Sequence, residues 1–369
     1  MKWIQALRTN TRLRRIVTRT SVLAVGLALM PLLPQAAQAT TYTINPVSVK
    51  ATAPMTGNTA NQADANCQND GANSGNDVVV GGGVFETISA DGVMADNAQR
   101  LEGSGPSPDG TSFASGTSDT NDQYWIGVDG VGGMTDPNGA FEVWALCDNN
   151  NTLTGSSGTK IVENDLPYPS TSLSANPVGA SCPSGTKLLS GGAYVTNPWG
   201  SLKPIASYPF VSSNGKTTPS LYPAASGSTS ADSWAAIGWE GGTGGSGNTE
   251  YAFAVCSTRT AFTDTVNQNW NSTAISTGST SRTSTVQCAT GNPVGGGWSV
   301  DSVDSTYNGS TAFSQSPSSG DHENGSYPIV ASGSPDWADT QPTGWGVLGH
   351  SGGSESGSSY VHSFAMCVS

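Results

Sequence analysis

The chain has few positive charges, which argues against the functions that depend on them. Only 14 of its 369 residues are Lys or Arg, against 27 Asp and Glu. Six of the basic residues, and no acidic ones, lie in the first 39 positions; the rest of the chain keeps eight basic and 27 acidic residues, a net charge of −19. A surface of this charge repels phosphates. Nucleic acid and anionic lipid are therefore not expected partners.

Long apolar runs are absent after residue 39. The single run, Val22–Leu33, follows the basic residues and precedes Ala37-Gln38-Ala39. This order is typical of a bacterial secretory signal cleaved before Thr40. The run is too short to span a bilayer and contains Pro31. We therefore predict a signal peptide at 1–39, a secreted or cell-surface location, and no membrane span in the mature chain; Arg14-Arg15 leaves the general and twin-arginine export routes both open.

Helical periodicity is also absent from the mature part. Gly, Ser, Thr and Asn dominate, with 47 Gly in the whole chain, and short apolar stretches recur between them. Such a composition is typical of many short strands joined by tight turns. The regular spacing of Trp, Phe and Val argues against disorder. The sequence predicts an all-β fold.

The six cysteines bracket a threefold internal repeat. Each pair encloses four landmarks in the same order: a glycine cluster, a Ser/Pro turn, a tryptophan strand and an aromatic-Ala-aliphatic-Cys motif. The landmarks are DVVVGGGVF (77–85), KLLSGGAYV (187–195) and NPVGGGWSV (292–300); SGP (104–106), SYP (207–209) and SQSP (314–317); YWIGV (124–128), SWAAI (233–237) and GWGVL (344–348); WALC (144–147), FAVC (253–256) and FAMC (364–367).

The repeat selects one disulfide pairing among the fifteen that six cysteines allow. Like units should close alike, which predicts Cys67–Cys147, Cys182–Cys256 and Cys288–Cys367. Within a strand of period two, the aromatic and aliphatic residues of the closing motif point to one side and Ala and Cys to the other. We expect the bulky side to face the core. The glycine clusters predict bulges or close approach of another backbone.

These features divide the chain into a signal peptide, three repeats of about four strands and the segments between them. The predicted pieces are a signal peptide (1–39), an N-terminal segment (40–66), β repeat 1 (67–147), a linker (148–181), β repeat 2 (182–256), a linker (257–287) and β repeat 3 (288–369). The Asn, Gly, Ser and Thr content of the two linkers suggests loops. The sequence does not settle whether the copies share one core.

The repeat resembles units in secreted actinobacterial and other bacterial proteins whose function is unassigned. The middle copy carries the likeness most clearly, from CPSGTKLLSGG (182–192) to YAFAVC (251–256). More distantly, the Cys-Pro-x-Gly opening, strand count and copy number are similar to the vitelline membrane outer layer protein family. That resemblance implies a β-prism, three sheets about a pseudo-threefold axis, and a carbohydrate-related role. The first and third copies lack the Pro, so three tandem β-sandwiches remain the alternative.

Catalytic patterns are weak. Gly349-His350-Ser351-Gly352-Gly353 has the form G-x-S-x-G, but its repeat partner at 238–242 contains no serine and no helical pattern follows. The other histidines, His322 and His362, have no metal-ligand spacing, and no acidic residue recurs in all three copies. We predict no catalytic residue, no metal, no cofactor and no enzymatic activity.

Aromatic residues are the remaining candidates for a site. Trp125, Trp234 and Trp345 recur in register and are predicted core residues. Four tryptophans do not recur, and such residues are either loop anchors or platforms on which sugars stack. The candidate binding residues are Trp199, Trp239, Glu240, Trp270 and Trp337.

We therefore interpret the protein as a secreted binding module for glycan or another cell-envelope component. The alternative is a structural coat protein that assembles through its β edges. A hydrolase acting through Ser351 is the third hypothesis. The sequence leaves the oligomeric state open.

Overall fold

The glycine clusters, tryptophans and closing motifs each lie on a β-strand. The computed structural model describes residues 44–51, 59–69, 77–87, 99–120, 122–131, 140–148, 151–155, 158–167, 175–196, 202–212, 223–240, 247–275, 281–301, 322–336, 341–350 and 359–369. These residues contain 19 strands and no α-helix. The all-β prediction is confirmed.

Each copy supplies four strands that carry the landmarks. The glycine strands are β3 (Val78–Thr87), β10 (Lys187–Val195) and β16 (Asn292–Asp301). The Ser-Pro strands are β4 (Gln99–Ser107), β11 (Leu202–Phe210) and β17 (His322–Ile329). The tryptophan strands are β6 (Tyr124–Val131), β12 (Ser233–Glu240) and β18 (Gly344–His350). The closing strands are β7 (Ala140–Asp148), β13 (Thr249–Ser257) and β19 (Ser359–Val368).

The segments expected to be linkers hold strands instead, and so does the N-terminal segment. Two lead strands precede the first cysteine of every copy, so the structural repeat is six strands long and starts before the disulfide loop. Their polar composition concealed them, because edge strands alternate apolar and polar residues rather than forming apolar runs. The lead strands are β1 (Ile44–Ala51), β2 (Thr59–Asn66), β8 (Thr159–Pro167), β9 (Ala175–Ser181), β14 (Asp264–Ile275) and β15 (Ser281–Gln287); an extra strand, β5 (Thr117–Thr120), occurs in copy 1.

The Ser-Pro landmark of the third copy was placed wrongly. Pro106 pairs with Trp125, Pro209 with Trp234 and Pro328 with Trp345. The third member is therefore Ser326-Tyr327-Pro328, and 314–317 lies outside the described residues. Copy 3 contains three Ser/Pro sequences, at 314–317, 326–328 and 334–335, and only pairing with the tryptophan strand identifies the equivalent one.

The strands form three antiparallel sheets, each built from two copies. Sheet 1 has the order β1-β7-β3-β17-β18-β15, sheet 2 the order β2-β6-β4-β10-β13-β8-β5, and sheet 3 the order β14-β19-β16-β11-β12-β9. Each sheet therefore has two halves. One half holds the first lead strand, the closing strand and the glycine strand of one copy. The other half holds the Ser-Pro strand, the tryptophan strand and the second lead strand of another copy. Three separate sandwiches are thus excluded.

Three seams join the copies. At each seam a glycine strand of one copy pairs with the Ser-Pro strand of another over only two residue pairs. The first copy pairs with both the second and the third, so the arrangement closes on itself. Seam 1–3 pairs Val84 with Ser326 and Phe85 with Gly325; seam 1–2 pairs Ser104 with Ala193 and Gly103 with Tyr194; seam 2–3 pairs Ser207 with Trp298 and Ala206 with Ser299.

The copies share one core. A single apolar cluster contains buried residues of all three, among them Val84, Leu188 and Val300, and residues 40–369 form one compact unit. At its centre Gly81 approaches Gly295 so closely that a Cβ on Gly81 would lie 2.1 Å from the Val294 carbonyl oxygen. The expectation that the glycine clusters mark close backbone approach is confirmed.

The recurring tryptophans lie in this core. Each one packs against the second glycine-cluster residue of its own copy. Trp125, Trp234 and Trp345 are all 0 % exposed. A Cβ on Gly191 would lie 2.2 Å from the Cγ of Trp234. Bulges at Val79/Gly81, Leu188/Ser190 and Pro293/Gly295 accompany these contacts in the three glycine strands.

The closing strands differ from expectation in where their aromatic residues lie. Ala145 and Cys147 belong to the shared core together with the aliphatic residue Leu146, whereas Trp144 packs with Tyr327, Ile329 and Leu348 in a separate cluster. The aromatic side chains are nevertheless fully buried, because segments such as the one holding Asp336, whose carbonyl accepts a hydrogen bond from Trp144 Nε1 at 3.2 Å, lie over the outer face. The small residues face inward because the inner space is already filled by the tryptophans.

All three predicted disulfides are present: Cys67–Cys147, Cys182–Cys256 and Cys288–Cys367. They lie where glycine strands begin and closing strands end, a region we call the disulfide end. At the opposite end, the loop end, nine connections join consecutive strands: 52–58, 88–98, 132–139, 168–174, 196–201, 241–248, 276–280, 302–321 and 351–358. Among the described residues, none lies in a helix long and apolar enough to cross a membrane.

Candidate functional site

The two candidate tryptophans that the structure describes, Trp239 and Trp270, both lie in sheet 3. Trp239 and Glu240 end β12, and Trp270 lies in β14 where its register with β19 shifts between Asn269 and Thr273. Trp199 comes between β10 and β11 in the sequence and lies outside the described residues.

The fourth tryptophan, Trp337, comes between β17 and β18 in the sequence. It too is outside the described residues, as is Ser351.

Trp239 does not have the open face that a stacking platform needs. Its side chain is 7 % exposed and packs with Ile205, Ile237 and Phe364 in a cluster on sheet 3. Its neighbour in register is Lys203, itself 5 % exposed. The repeat comparison suggested a surface residue because the equivalent position holds His350. However, that histidine is also buried, at 1 % exposed.

His322 and His350 lie side by side in sheet 1. They pair in register on β17 and β18, with ring centroids 5.2 Å apart. The Ser281 hydroxyl lies 3.1 Å from His350 Nδ1, which ties edge strand β15 to β18. Among the described residues, no group of three His, Cys, Asp or Glu side chains could hold a metal ion.

Buried carboxyl groups near the loop end are the feature that sequence reasoning missed. Glu86 on β3 is 1 % exposed, Asp129 on β6 is 0 % and Glu323 on β17 is 3 %. Asn324 donates a hydrogen bond from Nδ2 to Glu86, and Asp129 lies close enough to Glu86 to act electrostatically on its carboxyl group. We call Glu86, Asp129, Glu323 and Asn324 the acidic seam cluster.

Burial dominates the protonation of this cluster. It raises the pKa of Glu86 well above its usual value, and the nearby Asp129 and Glu323 raise it further. Burial alone raises the pKa of Glu323. Because a charged group is costly to remove from water, these carboxyls hold protons at a pH where exposed ones have lost them.

The sequence did carry a signal for these residues. Val84 lies in the shared core, and in a strand of period two Glu86 lies on the same face. The same argument extends from Trp125 to Asp129. Because none of these acids recurs in all copies, comparison between the repeats hid them.

The chain matches no protein-family model and no curated protein. The candidate site therefore rests on the residues of this chain alone.

Proposed function

We propose that the mature chain is a secreted, non-catalytic module that binds glycan or another cell-envelope component through the loop end of sheet 3. The supporting observation is the placement of Trp239 on β12 and Trp270 on β14, two strands of sheet 3 that come from the second and third copies. Trp199, the third candidate, lies outside the described residues. Within this proposal, the three-sheet arrangement corresponds to the β-prism of the vitelline membrane outer layer family, and residues 1–39 direct export.

Trp270 is the better of the two platform positions within the described strands. Its neighbours along β14 are Asn267, Gln268, Asn269 and Asn271. Neutral sugars are recognised by a flat apolar ring together with directed amide hydrogen bonds. This run supplies both chemistries in five consecutive residues. The net charge of −19 in the mature chain favours a neutral ligand over a polyanion.

Trp239 has a supporting role in this proposal. Its burial among Ile205, Ile237 and Phe364 fixes the end of β12. Binding through this region would then depend on Trp239 indirectly, through stability, whereas Trp199 and Trp270 would contact the ligand.

Assembly into a coat through sheet edges is disfavoured because several edges are already covered. Strand β5 pairs with the outer side of β8 in sheet 2. Asn164 of β8 donates a hydrogen bond to the Gly179 carbonyl of β9 at 2.8 Å, across the corner between two sheets. Gln62 of β2 bonds to the carbonyl oxygen of Thr111 at 3.0 Å. An exposed edge is needed for strand addition.

A pull-down with insoluble polysaccharides and cell envelope, combined with tryptophan fluorescence, tests the proposal. The mature chain should bind at least one material, and Trp199→Ala and Trp270→Ala should each weaken binding about tenfold or more, since stacking platforms are typical hot spots. Trp337→Ala, which removes the candidate tryptophan between β17 and β18, is the comparison variant and should bind normally. Absence of binding by the unaltered chain, or equal losses in all three variants, would refute the proposal.

A further inference from the structure

The three seams are equivalent in backbone but not in chemistry. In each glycine strand, one glycine packs against the core tryptophan, and the residue four positions later lies at the seam. That residue is Glu86 at seam 1–3, Val195 at seam 1–2 and Val300 at seam 2–3. Both valines are 0 % exposed. An ionisable side chain thus replaces an apolar one at this position of seam 1–3.

The partner strand differs in the same way. The bulged residue of each Ser-Pro strand is Asn324 at seam 1–3, Glu102 at seam 1–2 and Ile205 at seam 2–3. The preceding residue is Glu323, Leu101 or Pro204 in the same order. Seam 2–3 is therefore apolar at all three positions, and seam 1–3 is polar at all three.

The acidic seam cluster has more hydrogen-bond acceptors than donors. Among the described residues, Glu86 Oε1, Glu323 Oε1 and Asn324 Oδ1 are buried and have no hydrogen-bond partner. Neighbouring carboxylates such as Glu86 and Asp129 repel each other unless one of them carries a proton, because an ionised carboxyl group has no donor of its own. A bound proton supplies the missing donor, and it also removes a charge from a site closed to water.

The surrounding groups add mainly negative charge. Glu323 and Asp129 face Glu86 from β17 and β6. The side chain of Glu102 on β4 packs against Gly130, the residue that follows Asp129. On β7, Glu142 lies one residue from Phe141, the register partner of Glu86. His322 precedes Glu323, and Arg100 is the register partner of Gly130.

We propose that seam 1–3 is a proton-held joint, which closes the three-copy ring firmly in mild acid and loosens as the pH rises. The proton acts as a ligand of the acidic seam cluster. Seam 2–3, which holds Val300, Ile205 and Pro204 at the equivalent positions, keeps its pairing as the pH rises. A secreted protein built this way would change the strength of its own closure with the acidity of its surroundings.

The direction of the effect follows from the raised pKa of Glu86 and Glu323. In the unfolded chain both groups titrate near 4.5, so the folded chain binds more protons above that pH. Their stabilisation is complete below about pH 4.5 and is lost as the pH rises through the higher pKa values of the folded state. This is opposite to the behaviour of a carboxylate in a salt bridge.

Amide hydrogen exchange of the unaltered mature chain provides the first test. Protection factors of the Val84 and Ser326 amides should fall between pH 5.5 and 8.5 by at least about tenfold more than those of Ser207 and Trp298, the equivalents at seam 2–3; tenfold corresponds to one unit of pKa shift. An equal fall at both seams would overturn the proposal, because a general effect of net charge acts on all copies.

Variants provide the second test. Glu86→Gln and Glu323→Gln replace the carboxyl by an amide that carries its own donor, so the pH dependence at seam 1–3 should shrink towards that of seam 2–3. Asp165→Asn, on an exposed position of β8, removes the same charge and should leave it unchanged. Persistence of the full pH dependence in the double glutamine variant would refute the joint. Should that variant not fold, the comparison of seams in the unaltered chain still decides.

Discussion

The indole of Trp345 lies so close to Gly296 that a Cβ atom on this glycine would be 2.2 Å from the indole Cγ. The same contact occurs between Trp125 and Gly82, and between Trp234 and Gly191. Each copy thus packs its largest core side chain onto bare backbone. This explains why the middle residue of every cluster is glycine even though the first is serine in copy 2.

Replacing one of these glycines by alanine should destabilise the whole molecule. We expect Gly82→Ala, Gly191→Ala and Gly296→Ala each to cost about 3 kcal/mol, since overpacking typically costs 1–3 kcal/mol and here the obstacle is a rigid ring. Urea melts measure this. Gly333→Ala is the control: its φ is +83° but nothing lies within 4 Å, so it should lose only about 1–2 kcal/mol from backbone strain. Equal losses would show that the ring contact is not limiting.

The serine before each Ser-Pro turn should matter in two copies and not in the third. Trp234 Nε1 donates to Ser207 Oγ at 2.8 Å, and Trp345 Nε1 donates to Ser326 Oγ at 2.7 Å. Ser207→Ala and Ser326→Ala leave a buried N–H without an acceptor and should cost about 1–3 kcal/mol. Among the described residues, Trp125 Nε1 has no partner, so Ser104→Ala should cost under about 0.5 kcal/mol. Thermal or urea unfolding compares the three, and a large loss for Ser104→Ala would contradict this account.

The aromatic residues of the closing strands should contribute similarly. Trp144, Phe253 and Phe364 are all 0 % exposed, and replacing any one by Ala should cost about 3–5 kcal/mol. Trp239→Ala should fall near this range as well, since Trp239 packs against Phe364 in one cluster. Denaturant melts of the four variants provide the measurement. A loss below about 1 kcal/mol for Trp239→Ala would return that residue to the list of surface platforms.

The three disulfides should differ in access to reductant. Cys67 and Cys147 are both 0 % exposed, whereas Cys182 and Cys288 are only partly buried. Thiol–disulfide exchange needs access to a sulfur atom. Under native conditions, phosphine reduction followed by alkylation and mass spectrometry should therefore label the second and third pairs before Cys67–Cys147. Prior labelling of Cys67 would indicate that the first copy opens locally.

The sequence predicted what depends on single recurring residues. The disulfide pairing, the glycine contacts and the burial of Trp125, Trp234 and Trp345 follow from landmarks that each copy repeats. It did not predict the lead strands, because Thr159–Pro167 and Ser281–Gln287 are edge or near-edge strands whose polar residues resemble loop sequence. Nor did it predict which copy each sheet half would join, since seam pairs such as Val84 and Ser326 leave no local pattern.

The candidate site, like the fold, could be predicted from the sequence only in part. Strand pairing places Trp239 and Trp270 in one sheet although they belong to different copies, which spacing alone does not reveal. The exposure of Trp239 was misjudged because it was inferred from a histidine that is itself buried. The acidic seam cluster was missed because Glu86 and Glu323 interrupt positions that hold valine, leucine or proline in the other copies, and a search for recurrence discards such differences.

The closure of seam 1–3 has a consequence for the order of folding. Val84 must find Ser326, and about three-quarters of residues 40–369 lies between them. Contacts this distant in sequence form slowly, because the entropy of closing the intervening chain is lost before they stabilise anything. The halves of sheet 1 cannot join until the last repeat has been synthesised. We therefore expect a late, rate-limiting step in which the two ends of the chain meet, and a chain truncated before β17 would expose the edge of β3 for pairing with other molecules.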